Sequence, residues 1–406
     1  MSQTKSARRR FSLRSRLALS AGSAIAALLI CEVIVRVAAP AWCDQWKMWR
    51  RDPVYVRGLR PNVKDAVVHG LSGEFAFRFS TNAQGLRRDG DLVCPKPPGR
   101  ARCLVVGDSM TFGYGVDQGE TFSDHVQRSL DPLGERVEVV NAGFASGYTF
   151  DTEFLFTREV AEKWQPDVVV VGVCLANDLS DLSTTRWNIA DGKLVSAEKR
   201  NDWVPLWVKK SALVNLLVKG VAPRVIGGLE GGGDAASPAP QASVSQSAAR
   251  TESPPSVAPA LTSLPSLPDP AHLPESAGEP AAPPSLDPAS SDWSPQQKIA
   301  WVMKAWAREA ALRGYRLVLL LIPDASEVHG AAGEAPPENV AGIRAAFLDE
   351  ARNAAVAVID PAEALRDHRR RTGEELYFKR DGHLNQTGHQ VLGVWLAEQL
   401  RSWVGR

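Results

Sequence analysis

Apolar residues recur along this chain as short continuous runs, separated by stretches in which they return every three or four positions. Cys103 to Val106 is one such run, closed by Gly107. A run of this kind reads as a strand covered on both faces. From Glu120 to about Leu130 the pattern changes to a helical one, with Phe122, Val126 and Leu130 on one face and Pro132 and Gly134 as its stop. Val137 to Val140 predicts a second strand. Asp151 then predicts the cap of a helix reaching about Trp164, and Val168 to Val173 a third strand. Periodic structure resumes at Ser294-Pro295-Gln296-Gln297, a capping box with proline at the first helical position. The helix it opens presents Ile299, Val302, Trp306 and Ala310 and stops at Gly314. Arg316 to Ile322 and Val356 to Ile359 predict the fourth and fifth strands. Gln386 to Trp403 predicts a last helix with Val391, Leu392, Trp395, Leu396 and Leu400 turned inward.

Short apolar strands alternating with helices imply an α/β fold: a three-layer α/β/α, flavodoxin-like parallel sheet of about five strands. The flanks are different material. Residues 1–16 are a basic tail, with Lys5, Arg8, Arg9, Arg10, Arg14 and Arg16 and no acidic residue. Residues 17–39 are apolar and about as long as a membrane-crossing helix, which needs roughly 20 residues. Glu32 and Arg36 are four apart in its far third, where they can pair. Basic flanks stay in the cytoplasm, so the pattern predicts a single-pass anchor with the remainder exported. A cleaved signal peptide ending near Ala39-Pro40-Ala41 is the alternative.

Residues 40–100 read as an accessory lead-in, with Ala76 to Ser80 alternating like a short strand. Residues 101–227 and 294–406 are the two parts of one domain. Residues 178–227 within the first part are irregular, with a short helix near Lys210 to Val218. Residues 228–293 are rich in Pro, Ala, Ser and Gly. Such a segment cannot bury enough apolar surface to offset its ordering entropy, so it is expected to be a disordered insertion.

Composition narrows the function by exclusion. A net charge of +1 over 406 residues provides no field for nucleic acid. The five cysteines, Cys31, Cys43, Cys94, Cys103 and Cys174, have no metal-ligand spacing. Cys94 and Cys103 could pair in an oxidising compartment. No His, Cys, Asp and Glu set suggests a metal, and no glycine-rich fingerprint follows a strand, so neither metal nor cofactor is expected.

The chemistry-bearing residues lie in four separated segments: Gly107-Asp108-Ser109-Met110, Asn141 to Thr149, Asn177-Asp178 and Asp381-Gly382-His383. Ser109 directly follows a predicted strand, where open α/β sheets gather ligands. On its own it could equally be a turn or cap residue. Together the segments resemble the blocks of the SGNH/GDSL hydrolases, specifically their bacterial envelope-associated branch, over roughly residues 50–180 and 294–403. The resemblance implies that Ser109 is the nucleophile and that its amide helps hold the oxyanion. It also implies that a second-block glycine, Gly147 rather than Gly143, donates another amide. Asn177 would donate a side-chain N–H, and Asp381 and His383 would form the acid–base pair. Two departures stand out. Met110 replaces the usual Leu, and the last block reads Asp-x-His where Asp-x-x-His is common. Asp-x-His is seen in relatives acting on polysaccharide acyl groups.

The expectation is therefore a serine esterase removing a short acyl group from an envelope glycan or related ester. An acyltransferase using the same residues is the alternative, and a catalytically silent binding module a third reading. Among the other histidines, His125 is expected to be partly exposed, His389 to pack or cap, His368 to sit on a solvated face and His329 at the surface.

Overall fold

A computed structural model of the chain describes residues 12–46, 48–52, 56–144, 148–175, 187–190, 193–196, 210–222, 225, 294–330 and 338–404. The elements in order are α1 (Leu13–Ala38), a 3₁₀ turn (Pro40–Trp46), β1 (Trp49–Asp52), β2 (Val56–Leu59), β3 (Ala66–His69), β4 (Ala76–Phe79), β5 (Ala101–Gly107), α2 (Ser109–Phe112), α3 (Phe122–Leu130), β6 (Val137–Gly143), α4 (Phe150–Trp164), β7 (Val168–Cys174), β8 (Trp187–Ala190) and β9 (Lys193–Ser196). They continue with α5 (Ala212–Asn215), which runs into a π-helical turn (Leu216–Val221), then α6 (Pro295–Arg313), β10 (Arg316–Ile322), α7 (Ala325–His329), α8 (Glu338–Asn353), β11 (Ala357–Ile359), α9 (Ala362–Thr372) and α10 (Gln386–Val404).

The sheet is parallel and five-stranded, in the order β11-β10-β7-β5-β6. Its central strand β7 reads Val-Val-Val-Val-Gly-Val-Cys and is buried throughout. Alternate residues feed two cores. Leu104, Val106, Val169, Val171, Leu319 and Leu321 face Phe150, Trp306 and Phe347, contributed by α4, α6 and α8. Cys103, Val105, Val168, Val170, Val318 and Leu320 face Phe122, Val126, Leu365, Leu392 and Leu396, contributed by α3, α9 and α10. The result is the expected three-layer α/β/α architecture. The strands come from both sides of residues 228–293, which lie outside the described residues.

Local expectations hold with small corrections. The Ser294 capping box is formed, with Gln297 N–H donating to Ser294 Oγ at 3.2 Å and Gln297 Oε1 accepting from Ser294 N–H at 2.8 Å. The helix after Ser109 starts at Phe122, not Glu120, because Thr121 and Asp124 make their own capping box. Thr149, not Asp151, is the residue preceding α4. Asp151 lies buried in the first turn and accepts from Thr152 N–H at 2.8 Å, and burial raises its carboxyl above the ordinary value.

The lead-in is two antiparallel hairpins, β1-β2 and β3-β4, and Phe77 and Phe79 of the second are buried in the larger core. α1 is long and apolar enough to cross a membrane, and almost none of it is buried. The expected Glu32–Arg36 pair is present at 2.7 Å.

Candidate active site

β5 delivers the chain to the carboxyl edge of the sheet at Gly107, and Asp108 turns it into α2. Asp108 Oδ1 accepts from Met110 N–H at 2.9 Å, so a capping side chain sets the orientation of the residue between them. That residue is Ser109. As the first residue of a helix it has no intrahelical acceptor for its own N–H.

The turn fits because its neighbours lack side chains. A Cβ on Gly143, at the end of β6, would lie 2.3 Å from Phe112 N and 2.5 Å from Thr111 C. Asn141 fastens the same place, donating to Thr111 O at 2.9 Å and accepting from Gly143 N–H at 2.9 Å. Arg87, from the lead-in, is fully buried beneath it. Its guanidinium donates to Phe112 O at 2.9 Å, Gly113 O at 2.6 Å and Val116 O at 2.5 Å, and lies over the Phe112 ring at 4.8 Å. Burial pushes the guanidinium pKa down to about 10, so it stays charged under ordinary conditions.

The second arm of the site comes from the segment between α9 and α10. Tyr377 and Leu384 bridge, and Phe378 N–H donates to His383 O at 2.8 Å, closing a tight loop. Gly382 at its tip has φ +81° with open space around it. The left-handed backbone, not crowding, calls for glycine there. This turn folds Asp381 back onto its neighbour two positions on. The Asp381 carboxylate meets His383 Nδ1, and His383 Nε2 meets Ser109 Oγ at 2.8 Å. The compact turn accounts for the Asp-x-His spacing.

The lead-in supplies support that the sequence reading missed. Glu74, in the β3-β4 turn, accepts from the N–H groups of both Arg380 and Asp381 at 2.8 Å. Its neighbour Phe75 packs tilted against Phe378 at 4.4 Å and meets Tyr114 edge-on at 5.5 Å. Tyr114 in turn lies 5.1 Å from the His383 ring. Burial, with the Asp381 charge adding to it, raises the Tyr114 phenol to about 12 and keeps it neutral. Residues 70–75 carry no motif or apolar periodicity, so only the order Glu-Phe beside a strand could have hinted at this.

Three of the five expected site residues, Ser109, His383 and Asp381, are thus brought together. Gly147 and Asn177 lie outside the described residues. The N–H of Gly143 is engaged by Asn141, which weighs against it as the second-block donor.

The remaining histidines sort out by their contacts. His389 is fully buried and caps α3, its Nδ1 accepting from Phe122 N–H at 3.1 Å. His125 is buried rather than partly exposed, because α10 crosses it at Gly393, where a Cβ would lie 2.4 Å from His125 Cβ. His368 is half-buried, not simply on a solvated face, and pairs with Glu374 at 2.7 Å. His329 is half-buried against the edge of Tyr377, not simply at the surface. Cys94 and Cys103 are free thiols. Among the described residues no cluster of His, Cys, Asp and Glu could hold a metal.

A hydroxyl, an imidazole and a carboxylate in this sequence of contacts can carry out acyl transfer through a serine ester. Residues 286–404, which include Asp381 and His383, match the family described as the SGNH hydrolase-like domain of the acetyltransferase AlgX. That segment, under a third of the chain, is similar to an SGNH hydrolase-like domain. A comparison with curated proteins finds no match.

Solved structures similar to this chain include three esterases or acylhydrolases. The psychrotrophic esterase EstA from Pseudoalteromonas sp. shares 11% identity, with a TM-score of 0.36, over 75% of this chain and 99% of that one. The acetyl xylan esterase AlAXEase shares 12%, with 0.37, over 74% and 98%. The lipase/acylhydrolase from Enterococcus faecalis shares 14%, with 0.35, over 74% and 96%. Superpositions this loose add nothing to the fold, which stands on its own sheet.

Proposed function

We propose that this protein is a serine esterase that removes a short acyl group, acetyl above all, from an envelope glycan or related ester. The observation that carries the reading is the continuous contact from the Asp381 carboxylate through His383 to Ser109 Oγ, which lies 2.8 Å from His383 Nε2. A serine hydroxyl attacks an ester only if a base takes its proton during attack. His383 is that base, and it then protonates the leaving alkoxide. Asp381 holds the imidazole in the required tautomer and stabilises its cation. The Ser109 amide, with Gly147 N–H and the Asn177 side chain, receives the negative charge of the tetrahedral intermediate. Water then repeats the attack on the acyl-enzyme and frees the acid.

A second reading is favoured by the matched family itself, which is described by an acetyltransferase. In that reading a sugar hydroxyl replaces water in the second half-reaction, and the same residues serve. The apolar α1, with basic residues before it, supports a single-pass anchor that holds the domain on the outer side of a cytoplasmic membrane.

Acetate release from acetylated oligosaccharides, with and without an unacetylated acceptor, tests both readings. Release to water without acceptor supports the esterase, and label appearing only on the acceptor supports transfer. Ser109→Ala should lose turnover and labelling by a serine-directed phosphonate. Asn177→Ala should keep the labelling site but lose on the order of 10²–10³ in kcat. Full activity in Ser109→Ala would reject the mechanism.

A further inference from the structure

Two ionisable residues lie in the far third of α1, and both are committed to another part of the chain. Glu32 pairs with Arg36, but its carboxylate also accepts from Ser211 Oγ at 2.6 Å and from the N–H groups of Ala212 and Leu213 at 2.9 Å each. Arg36 donates to Lys210 O at 3.1 Å. A charged side chain within an apolar helix is costly unless paired, and here its partners are named. They are the free donors of the first turn of α5.

Apolar contacts reinforce the clamp. Val35, Trp42 and Ala212 form a small core of their own, with Ala39, Leu213 and Leu216 packed on it. The Trp42 ring comes so close that a Cβ on Gly220 would lie 2.9 Å from it. The helical segment from Ala212 to Val221 is therefore fixed at its start to the end of α1 and, at Gly220, to the turn that follows α1.

Its other side is bare. Leu217 is 48% exposed, Val218 52%, Val221 42% and Val225 55%. Val33, Ile34 and Val37 of α1 are exposed beside this junction. Glu32 lies six residues before the end of α1, about 9 Å along the helix axis. Helices that lie in a membrane surface bury their apolar face roughly 5–10 Å into the headgroup and acyl boundary. The depth of the clamp matches that layer.

We propose that residues 211–222 form an interfacial helix that lies in the outer face of the bilayer, with Leu217, Val218 and Val221, and Val225 beyond them, turned into lipid. The inference rests on the reading of α1 as a membrane anchor. Glu32 joins the spanning helix to the lying one, so the domain is seated on the membrane rather than tethered above it. Its substrate is then met at the membrane surface.

The test uses the full chain in vesicles of phosphatidylethanolamine and phosphatidylglycerol, with Cys31, Cys43 and Cys94 changed to Ser. Single cysteines introduced by Val218→Cys, Leu28→Cys and Leu133→Cys each carry an environment-sensitive fluorophore. Leu28 reports α1, and Leu133, 79% exposed in the loop after α3, reports water. The expected result is quenching of the Val218 probe by lipids brominated high on the acyl chain and protection from aqueous iodide, with the Leu28 probe quenched by deeper bromines. Adding Glu32→Gln should raise iodide access to the Val218 probe severalfold and leave the Leu28 probe unchanged. If the Leu28 probe is reached by iodide, the anchor fails and this inference with it. A Leu28 probe in lipid with a Val218 probe as open to iodide as Leu133 overturns the interfacial helix alone. Shielding of Val218 from both quenchers also overturns it, because a protein surface would then cover that face.

Discussion

Gly382 carries more of the site than its missing side chain suggests. It separates Asp381 from His383, and its φ of +81° turns the carboxylate back onto the imidazole. Nothing lies within 4 Å of a Cβ built there, so Gly382→Ala tests backbone strain without crowding. The left-handed conformation costs a residue with a Cβ roughly 1–2 kcal/mol. If the loop relieves that strain by shifting His383, kcat falls by roughly 5- to 30-fold with a small change in melting temperature. Steady-state kinetics beside a thermal melt will separate the two, and unchanged kcat would show that the turn tolerates alanine. Glu74 acts on the same loop from outside by accepting two amides. Glu74→Ala frees those donors and lets Asp381 drift, and misplacement of this kind costs up to about 10² in rate. The expected signature is a fall in kcat on the order of tenfold, partly rescued in Glu74→Gln, which keeps an acceptor oxygen. Equal losses in both variants would point to the charge instead of the hydrogen bonds.

At the scale of elements, the strands and helices of the sheet were legible because their signal is local. β7 announces itself by four valines in a row, α6 by its capping box and α10 by its apolar spacing. Ser109, Asp381 and His383 were legible because short motifs carry them. The lead-in was not, because its role is a contact between distant segments: Arg87 reaches three carbonyls of the α2 turn, and Glu74 reaches a loop more than three hundred residues away. No periodicity encodes a buried arginine of this kind. His125 was misjudged for the same reason, since α10 covers it from the other end of the chain. The β6–α2 contact gives a test of how tightly the elements are fitted. Gly143→Ala places a methyl group where Phe112 N and Thr111 C already lie, and both are backbone. Overpacking typically costs about 1–3 kcal/mol, and here the α2 turn must move to relieve it. Lower stability together with reduced phosphonate labelling of Ser109 is expected. Reduced stability with an unchanged labelling rate would mean that β6 yields instead.

For the molecule as a whole, the α3–α10 layer beneath the site sets a pH limit on stability. His389 is buried at this junction, and its Nδ1 accepts Phe122 N–H, which requires that nitrogen to be unprotonated. Burial first, then the charges of Arg87, His125 and His383, hold its pKa well below 6.5. His125 is pushed down to about 4, by burial and then by Arg128, whose Nη2 donates to it at 2.9 Å; Asp124 opposes this weakly, and Glu120 lies 3.5 Å away. Both groups are neutral in the fold but protonate near 6.5 once the chain unfolds. The unfolded state therefore binds more protons below that pH, so stability is full above about 6.5 and is lost as pH falls toward about 4. Asp151 works the other way. Its carboxyl pKa is raised by burial, so the native state takes up that proton first and offsets part of the loss. Urea unfolding at pH 7.5, 6.5, 5.5 and 5.0 should show a flat upper range and then a slope of more than one proton, to which His329, its pKa also lowered by burial, contributes beside His389 and His125. His389→Asn retains an oxygen able to accept from Phe122 N–H and has nothing to titrate, so it should remove about one proton from that slope. A slope unchanged in this variant would place the acid sensitivity elsewhere in the fold.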